Sequence, residues 1–341
     1  MGERSATQQL AVGIDIGGTK VAAGLVDSKG RVLFKTRVPM VATGDAASGF
    51  AAVKAAIEAV LAATPHAREG LGGVGVCSPG PLDPFGGVVI NPPNLPCWRN
   101  FPLAAEVKRA FGVDARVDND ANAAGLAEAL WGAAVGYQSV FYATIGTGIG
   151  TGIVFGKHIY LGRTGSAAEG GHVTIDYQGP QCACGKRGCI EALASGPSLA
   201  RRARERLAAG QAGAPAPSQA ERSKILALAG GNPEAINAET IASAHQQGDP
   251  LATQLLKETA DFLAIWLGNV IDLLEPDVIV IGGGMSGMIE QWFEHIRGKL
   301  PAWSINQRCQ EIPLKRAAYG EDSGIAGAAA LWHQPEHNRD S

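Results

Sequence analysis

The sequence predicts an α/β protein made of two related lobes with a cleft between them. A unit of strand, glycine-rich turn and strand occurs at residues 11–26 and recurs at residues 139–155. Other segments carry apolar residues at the spacing of an α-helix. At 341 residues, the chain is too long for one ordinary domain and suits two. We therefore expect residues 1–130 with 320–341 in a small lobe, and residues 131–319 in a larger lobe with the metal site described below.

The first half of the chain predicts a β-meander followed by alternating helices and strands. Its strands are short apolar runs bounded by turn residues, and its helices carry apolar residues at helical spacing. Pro65 ends the first helix, because proline cannot continue a helical hydrogen-bond pattern. The predicted strands are residues 10–16, 21–26, 32–37, 71–77 and 115–117, and the predicted helices are residues 46–63, 103–111 and 120–131.

The second half repeats the strand–turn–strand pattern and then becomes mainly helical. Residues 195–247 are predicted as mostly helical. Asp249 and Pro250 predict the start of a long helix that ends near Leu274, since aspartate is a favoured N-cap and proline a favoured first residue. A last helix at residues 323–332 is predicted to return to the first lobe. The predicted strands of this half are residues 139–145, 151–155, 157–160 and 278–281.

Composition and charge bound the possible functions. Hydrophobic residues make up 46% of the chain and charged residues 18%, so a large core can form. The net charge is −3 and no basic block occurs, which argues against nucleic acid and anionic membranes as partners. No apolar run reaches the ~18 residues that span a bilayer, and the N-terminus lacks the apolar core of a signal peptide. We therefore expect a cytoplasmic protein with no membrane partner.

The most specific motif combines cysteines with a histidine. Cys182, Cys184 and Cys189 follow His172 closely, and three thiolates with one imidazole are the ligand set of a closed tetrahedral zinc site. Such a site is structural, because four protein ligands leave no open position for water. The remaining cysteines lack ligand-like spacing and are predicted to be ordinary thiols: Cys77, Cys97 and Cys309.

Two carboxylates flank this motif. Glu169 lies three residues before His172, and Glu191 lies two residues after Cys189. When one ring nitrogen of the histidine binds metal, the other must carry the proton, so the ring can donate while the carboxylates accept. The combination predicts a site for a ligand rich in hydroxyl groups. Such a site rejects an analogue that lacks a matched hydroxyl, because its own buried groups are then left unpaired.

A glycine-rich turn between the first two strands is a candidate phosphate-binding loop. Its glycines allow backbone N–H groups to approach phosphate oxygens, its threonine adds a hydroxyl donor, and its aspartate can hold Mg²⁺ through water. A plain β-hairpin turn is the alternative for this segment alone, and the segment is not a Walker loop. The candidate residues are Asp15, Gly17, Gly18, Thr19 and Lys20.

Two further glycine-rich turns follow apolar strands. Thr147 and Gly148 lie in the second hairpin, and Gly283 and Gly284 follow a strand and precede a predicted helix. The hairpin is not a dinucleotide fingerprint, because strand residues rather than a helix follow it. N–H groups at the start of a helix favour an anion, so we expect the last turn to contact a phosphate or an adenosine. Three such turns predict a nucleotide site more strongly than one.

A carboxylate suited to catalysis lies in the run Asp-Asn-Asp-Ala-Asn at residues 118–122, which follows a strand and opens a helix. Phosphoryl transfer to a hydroxyl group needs a nearby carboxylate to accept the proton. At a helix start the macrodipole keeps a carboxylate ionised, and packing keeps it rigid. Asp120 is the favoured candidate. A helix N-cap is the alternative role, and it is more open for Asp118 and Asn119.

Together these motifs resemble the ROK family of bacterial sugar kinases and repressors. The resemblance runs from about residue 10 to residue 332 and implies the actin-like ATPase (ribonuclease H-like) fold, with two α/β lobes and a central cleft that binds the sugar. It also implies ATP and Mg²⁺ in addition to structural Zn²⁺. The motifs that carry it are Asp-Ile-Gly-Gly-Thr-Lys at 15–20, Asn-Asp-Ala-Asn at 119–122, Glu-Gly-Gly-His at 169–172 and Cys-x-Cys-Gly-x-x-Gly-Cys-x-Glu at 182–191.

The resemblance assigns roles to individual residues. Asp120 would be the base for the sugar 6-hydroxyl. This family often has glycine before the motif glutamate, whereas this chain has Ala168, whose methyl group we expect to change little. The segment at 210–235 is long for the family. The zinc ligands would be His172, Cys182, Cys184 and Cys189, and the sugar contacts would be Gly80, Asn94, Asn119, Glu169, His172 and Glu191.

The implied activity is phosphorylation of glucose at its 6-hydroxyl, with a small-molecule sugar and a nucleotide as partners. Kinases for N-acetylglucosamine, N-acetylmannosamine or fructose are alternatives within the family, and polyphosphate is an alternative donor. A sugar-responsive repressor needs a helix-turn-helix domain, and only about ten residues precede the first strand. A non-catalytic sensor would lack Asp120 or the Asp15 loop. The family commonly forms dimers or tetramers, so we expect a homo-oligomer.

Overall fold

The computed structural model describes residues 10–210 and 223–334. These residues form two compact units, which are here called unit 1 and unit 2. The described part of unit 1 is residues 10–142, 151–168 and 317–334, and that of unit 2 is residues 143–210 without 151–168, together with residues 223–316. The segment that is long for the family, 210–235, falls partly outside the described residues.

Helices and strands alternate along the chain. The strands are β1 (Leu10–Ile16), β2 (Lys20–Asp27), β3 (Val32–Pro39), β4 (Leu71–Cys77), β5 (Leu82–Asp83), β6 (Val88–Val89), β7 (Ala115–Asp118), β8 (Ser139–Ile145), β9 (Ile149–Phe155), β10 (His158–Ile159), β11 (Val278–Gly282) and β12 (Leu314–Arg316). The helices are α1 (Ala46–Ala63), α2 (Ala67–Gly70), α3 (Leu103–Phe111), α4 (Asp120–Trp131), α5 (Ile190–Ala194), α6 (Gly196–Gly210), α7 (Ile225–Leu228), α8 (Ala238–Gln246), α9 (Pro250–Leu274), α10 (Ser286–Glu290), α11 (Phe293–Lys299) and α12 (Ser323–His333).

Unit 1 is built on a five-stranded sheet of order β3-β2-β1-β4-β7. β1, β2 and β3 form the predicted antiparallel meander, β4 runs parallel to β1, and β7 runs parallel to β4. Asp15 pairs with Cys77, and Cys77 pairs with Asp118, at the carboxyl ends of the three parallel strands. Ligands of open α/β sheets bind outside this edge, so the register places polar side chains where a site is expected.

The sheet of unit 1 carries helices on both faces. On one face, α1 contributes Val53 and Ile57 to a core in which both side chains are fully buried. On the other face, α12 crosses β1 and β4 so closely that a Cβ on Gly75 would lie 1.7 Å from the carbonyl oxygen of Ala328. Glycine is therefore required at that point of contact. The last helix packs on the first unit, as predicted.

The helix α1 is the most apolar long helix of unit 1 by the measure of length and composition. Within the described residues, α1 is long and apolar enough, by length and composition, to cross a bilayer, and 39% of its 18 residues are buried. Lys54 and Glu58 interrupt its apolar residues, so the expectation that no apolar run reaches that length stands. The buried residues of α1 form part of the core beneath the sheet, which is the setting of an ordinary core helix.

A second five-stranded sheet has the order β10-β9-β8-β11-β12, in which β11 and β12 are parallel. In unit 2, the 25-residue helix α9 packs against α5, α6, α8 and α11. Asp249 caps α9 by accepting the N–H of Ala252, and Pro250 occupies its first turn, as the sequence predicts. The buried Trp266 of α9 donates its indole N–H to the carbonyl of Gly170 at 3.1 Å. The long helix thus supports the turn of the Glu-Gly-Gly-His motif.

Residues 131–142 and 151–168, which were expected in the second lobe, lie in unit 1. The contact between β9 and α4 explains this placement for the second segment. A Cβ on Gly152 would lie 2.8 Å from the carbonyl oxygen of Ala121 and 3.0 Å from the Cα of Asn122. The backbone of β9 therefore rests directly on the first turn of α4.

Candidate active site

Three polar side chains line the carboxyl edge of the parallel strands in unit 1. Asp15, Cys77 and Asp118 occupy paired positions on β1, β4 and β7, so their side chains share one face of the sheet. The Cys77 sulfur lies 3.7 Å from the carbonyl oxygen of Gly324, and a Cβ on Gly324 would lie 2.3 Å from Asp15 Oδ2. The start of α12 therefore borders this edge.

Asp15 is electrostatically coupled to Asp120. Burial raises the pKa of Asp15 to about 6, the charge of Asp120 adds to this increase, and the charges of Lys20 and Arg37 oppose it. Two neighbouring carboxylates that raise each other's cost of ionisation favour a bound cation or a proton. Sequence reasoning missed Arg37, which the pairing of β2 with β3 places opposite Ala22.

Asp118 is buried, with 4% of its surface exposed. Burial raises its pKa to about 6, although the side chain accepts hydrogen bonds from the Asn122 amide at 3.0 Å and from the Asn119 N–H at 2.7 Å. Its carbonyl oxygen accepts the N–H of Ser78 at 3.1 Å. Asp118 thus joins the end of β7 to the first turn of α4 and to the loop that contains Gly80.

Asn119 is the N-cap of α4, and Asp120 is the first residue of that helix. The Asn119 side-chain oxygen accepts the N–H groups of Ala121 at 2.8 Å and Asn122 at 3.4 Å, so only its NH₂ group is left to contact a ligand. The N-cap alternative is therefore confirmed for Asn119.

The Asp120 carboxylate is accessible to solvent and also accepts the N–H of Ala121 at 2.8 Å. Desolvation by the surrounding protein raises its pKa, and backbone hydrogen bonds oppose that increase. An accessible carboxylate on a rigid helix start has the properties of a proton acceptor.

The phosphate turn predicted in unit 1 connects β1 to β2. The N–H of Gly17 donates to the carbonyl of Lys20 at 2.9 Å and closes the turn, and the side chains of Thr19 and Lys20 are exposed. A Cβ on Gly18 would lie 3.0 Å from the carbonyl oxygen of Asn94. The structure therefore brings Asn94, a predicted sugar contact, next to the predicted phosphate turn.

The four predicted zinc ligands converge in unit 2. The donor atoms of His172, Cys182, Cys184 and Cys189 all lie within 4.8 Å of one another. His172 Nδ1 is 3.7 Å from the Cys182 sulfur, and the Cys184 and Cys189 sulfurs are 3.7 Å apart. Tetrahedral zinc with Zn–S bonds of about 2.3 Å would separate its sulfurs by about 3.8 Å. The chemistry and spacing of these donors fit zinc, with Nδ1 as the ligand atom of the histidine.

Turns rather than long elements shape the cysteine segment. The N–H of Cys182 donates to the carbonyl of Lys186 at 2.8 Å, and the N–H of Gly185 donates to the carbonyl of Cys182 at 3.0 Å. Gly185 and Gly188 have φ angles of 92° and 61°, which residues with a Cβ rarely adopt. A Cβ on Gly188 would also lie 1.5 Å from the carbonyl oxygen of Asp176. The motif glycines therefore allow the chain to bring its cysteines together.

Glu191 joins the cysteine cluster to the glycine-rich turn between β8 and β9. Its Oε1 lies 4.0 Å from His172 Nδ1, and its Oε2 accepts the N–H of Ile149 at 2.9 Å. A Cβ on Gly148 would lie 2.6 Å from Oε2, so glycine there leaves room for the carboxylate. The side chains of His172 and Glu191 are 31% and 24% exposed, so a ligand can reach both. Glu169 is also exposed, and its carbonyl accepts the N–H of His172 at 3.1 Å.

The other two glycine-rich turns adjoin each other in unit 2. The N–H of Gly146 donates to the carbonyl of Gly148 at 2.9 Å, and a Cβ on Gly146 would lie 3.7 Å from the Gly284 nitrogen. Gly283 has a φ of 83°, while Thr147 and Gly284 are exposed. The helix that follows, α10, has only five residues, so its N-terminus offers a weaker field for an anion than the sequence predicts.

Ala168 corrects the expectation that its methyl group changes little. Its φ is 63°, in the left-handed region that costs a residue with a Cβ about 1 kcal/mol or more. The Ala168 carbonyl accepts the hydroxyl of Thr151, which holds the backbone in this conformation. Glycine would adopt the same φ without that cost, so the backbone explains the glycine that is common at this position in the resembling family.

The predicted site residues fall into two groups that lie in different units. Unit 1 contains Asp15, Gly17, Gly18, Thr19, Lys20, Gly80, Asn94, Asn119 and Asp120, and unit 2 contains Thr147, Gly148, Glu169, His172, Cys182, Cys184, Cys189, Glu191, Gly283 and Gly284. Sequence reasoning missed the contacts of Asp118 and Asn122. A polar residue that ends an apolar strand was the available signal, because the carboxyl edge of a parallel sheet is a place where ligands bind.

Comparison with known proteins identifies the family. The sequence matches the ROK family over residues 11–335. A glucokinase of Streptomyces coelicolor is 34% identical over 96% of this chain and 98% of that protein, and one of Thermotoga maritima is 33% identical over 94% and 96%. A crystal structure of a ROK family glucokinase from Streptomyces griseus, in complex with glucose and AMPPNP, superposes with a TM-score of 0.77 at 34% identity, over 96% of this chain and 100% of that one.

This chain belongs to the ROK family. The match confirms the resemblance that the sequence motifs carry, and the fold is the predicted actin-like ATPase fold of ROK sugar kinases.

Proposed function

We propose that this protein is an ATP-dependent glucokinase, which transfers the terminal phosphoryl group of ATP to the 6-hydroxyl of glucose. The observation that carries the proposal is the position of Glu191 between His172, a candidate metal ligand, and the glycine-rich turn that ends at Ile149. A carboxylate held in this way can accept sugar hydroxyls next to backbone N–H groups that can bind phosphate. Glucokinases that are 34% and 33% identical over nearly the whole chain support glucose as the sugar.

Asp120 is the base in this proposal. The proton of the 6-hydroxyl passes to the Asp120 carboxylate, a bond forms between that oxygen and the γ-phosphorus, and the bond from the γ-phosphorus to the β–γ bridging oxygen breaks to leave ADP. Solvent access and a fixed place at the start of α4 support this role. A pKa above the ordinary value makes the ionised carboxylate a better proton acceptor.

The remaining sugar hydroxyls are bound by both hydrogen-bond acceptors and hydrogen-bond donors. Glu169 and Glu191 accept from hydroxyls, and His172 donates through Nε2–H, because its Nδ1 faces the cysteine cluster. Asn119 donates through its NH₂ group, since its oxygen caps α4. Gly80 contributes a backbone group, and Asn94 completes the set.

The nucleotide is bound by the glycine-rich turns. Asp15 would hold Mg²⁺ through water, and the ion would neutralise charge on the transferred phosphoryl group. The coupling of Asp15 to Asp120 supports this role, because a cation relieves the cost of placing two carboxylates together. The turn residues proposed to contact the nucleotide are Gly17, Gly18, Thr19, Lys20, Thr147, Gly148, Gly283 and Gly284.

Zinc has a structural role in the proposal. His172, Cys182, Cys184 and Cys189 would hold it, and the ion would fix the ring orientation and tautomer of the histidine. We further propose, from the family, that the protein acts in the cytoplasm as a homodimer or homotetramer. Light scattering during gel filtration tests the oligomeric state.

A sugar panel tests the proposed activity. Purified protein with MgATP is given glucose, N-acetylglucosamine, N-acetylmannosamine or fructose, and release of ADP is followed in a coupled assay. We expect the highest kcat/KM with glucose, and glucose 6-phosphate as the product. Preference for another of these sugars would replace glucose within the kinase proposal, and release of ADP with none of them would overturn it. Polyphosphate in place of ATP tests the donor.

A further inference from the structure

Asp118 occupies a position that favours function over stability. Its carboxylate is buried, with 4% exposure, and burial raises its pKa to about 6, so the ionised form costs folding free energy at neutral pH. Its partner Asn122 is 3% exposed, and the side-chain oxygen of Asn122 has no hydrogen-bond partner among the described residues. An unpaired buried oxygen costs folding free energy. Two such costs at one contact are typical of residues kept for activity.

The side chain of Asp118 accepts hydrogen bonds from residues on both sides of Asp120. One carboxylate oxygen accepts both the Asn119 N–H at 2.7 Å and the Asn122 side-chain NH₂ at 3.0 Å. The first bond fixes the peptide before Asn119, and the second fixes the first turn of α4. Asp120 lies between these two anchors, so its orientation follows from both.

We propose that Asp118 is a positioning residue for phosphoryl transfer: its side chain holds the first turn of α4 so that the Asp120 carboxylate faces the reacting hydroxyl. The inference rests on the proposed function. The backbone of Asp118 has a separate task, because its carbonyl holds Ser78 and hence the loop of Gly80. A change confined to the side chain therefore alters the placement of Asp120 and leaves that loop in place.

The test is Asp118→Ala, with Asp118→Asn as the conservative variant and Asp114→Ala as the matched control. Asp114 precedes the same strand, and its exposed carboxylate pairs with Lys108 at 2.7 Å. Alanine removes the oxygen that accepts both hydrogen bonds, so we expect Asp118→Ala to lower kcat roughly 10- to 100-fold, as a misplaced reacting group does, while the KM for glucose changes by less than about 3-fold. Asp118→Asn keeps an acceptor oxygen in the same place and should retain most of the wild-type kcat. Asp114→Ala should match wild type in kcat.

Asn122→Ala gives a second measurement that does not depend on the folding of the first variant. It removes one of the two anchors, so kcat should fall by less than in Asp118→Ala, again with little change in the KM for glucose. A wild-type kcat in folded Asp118→Ala or folded Asn122→Ala overturns the inference, and so does an Asp118→Asn protein that loses as much kcat as Asp118→Ala. If the wild type phosphorylates none of the sugars, the proposed function and the inference both fail. An active wild type with an equally active Asp118→Ala overturns the inference alone.

Discussion

The two groups of candidate residues are held in place by different means. In unit 1, Asp15 and Asp118 are fixed by the register of parallel strands, and Asp120 is fixed by a capped helix start. In unit 2, His172 ends a three-residue turn and Glu191 lies in a five-residue helix, near cysteines that converge on a candidate metal site. Regular strands, a helix start and the hydrogen bonds of Asp118 hold the first group, whereas the second group has little regular structure and is proposed to depend on metal ligation as well.

The two groups should therefore respond to different perturbations, the first to substitutions in unit 1 and the second to loss of metal in unit 2. A change at the carboxyl edge of unit 1 alters chemistry without affecting the metal cluster. If the cysteine cluster holds zinc as proposed, loss of the metal should release His172 and its neighbour Glu191, because little regular structure holds either of them. The predictions below separate the two groups.

The largest expected effect is that of Asp120→Asn. The amide keeps the size of the side chain but cannot accept the hydroxyl proton, so we expect kcat to fall roughly 10²- to 10⁴-fold. Zinc content should not change, and glucose affinity measured by calorimetry should stay close to wild type. An equal loss of glucose binding and turnover would give Asp120 a positioning role instead. The contrast between a unit 1 group that acts in the chemical step and a unit 2 group that binds the sugar would then be wrong.

Cys184→Ser should affect the other group. Removal of one thiolate from a four-ligand site should release zinc and lower glucose affinity by at least roughly 10-fold. Cys97→Ser is the matched control, since Cys97 lies outside the cluster. The Cys97→Ser protein should retain zinc and activity. Metal analysis and calorimetry on both variants provide the measurement. A zinc-free Cys184→Ser protein that phosphorylates glucose normally would show that the metal is not needed for glucose binding or turnover.

Gly148→Ala tests whether the position of the Glu191 carboxylate limits glucose binding. The new Cβ would lie 2.6 Å from Glu191 Oε2, so the carboxylate must move. We expect the KM for glucose to rise roughly 10-fold, about 1.4 kcal/mol, with zinc retained. The control is Gly298→Ala in α11, where no atom lies within 4 Å of the new methyl group and no kinetic change is expected. An unchanged KM in Gly148→Ala would show that the position of Glu191 does not limit sugar binding.

Local signals in the sequence predicted the long elements of the fold well. The predicted bounds of α1, α3, α4 and α9 match the structure, because apolar spacing, caps and prolines mark their ends within a few residues. The short elements β5, β6, β12 and α5 were not predicted. Elements of two to five residues have too few positions for a period, and tertiary contacts decide them.

The site shows the same division between local and non-local information. Spacing predicted four metal ligands, and they converge because glycines at 185 and 188 adopt positive φ angles. Three other features depend on distant contacts that no local pattern reports. These are the use of Nδ1 by His172, the burial of Asp118 and the positive φ of Ala168.

The pH dependence of kcat/KM for MgATP should report on unit 1. In the proposal Asp15 holds Mg²⁺ and must be ionised to do so, and burial raises its pKa to about 6. The ionised fraction therefore falls as the pH drops through about 6, and kcat/KM should fall with it. Arg37→Gln removes a charge that lowers this pKa, so the acid limb should shift to higher pH.

Stability should change in the opposite direction from activity in this pH window. The folded-state pKa values of Asp15 and Asp118 exceed the ordinary value of 3.8, so the folded state binds more protons than the unfolded state between about pH 4 and 6. These two groups therefore favour folding as the pH falls. Circular dichroism at each pH checks that lost activity is not lost structure. If the acid limb of kcat/KM for MgATP does not move in Arg37→Gln, that limb reports a group other than Asp15.

The smallest expected effect is that of Ala168→Gly, which tests whether backbone strain lies next to Glu169. Ala168 has a φ of 63°, so glycine removes a cost of about 1–2 kcal/mol and adds back part of it through the greater freedom of the unfolded chain. We expect the free energy of unfolding to rise by up to about 1 kcal/mol in urea titrations. Ala62→Gly, the same change at an exposed position of α1, should lower it by up to about 1 kcal/mol. The opposite signs of one chemical change would locate the strain in the backbone, whereas a loss of stability in both variants would show that the methyl group of Ala168 makes packing contacts worth more than its conformational cost.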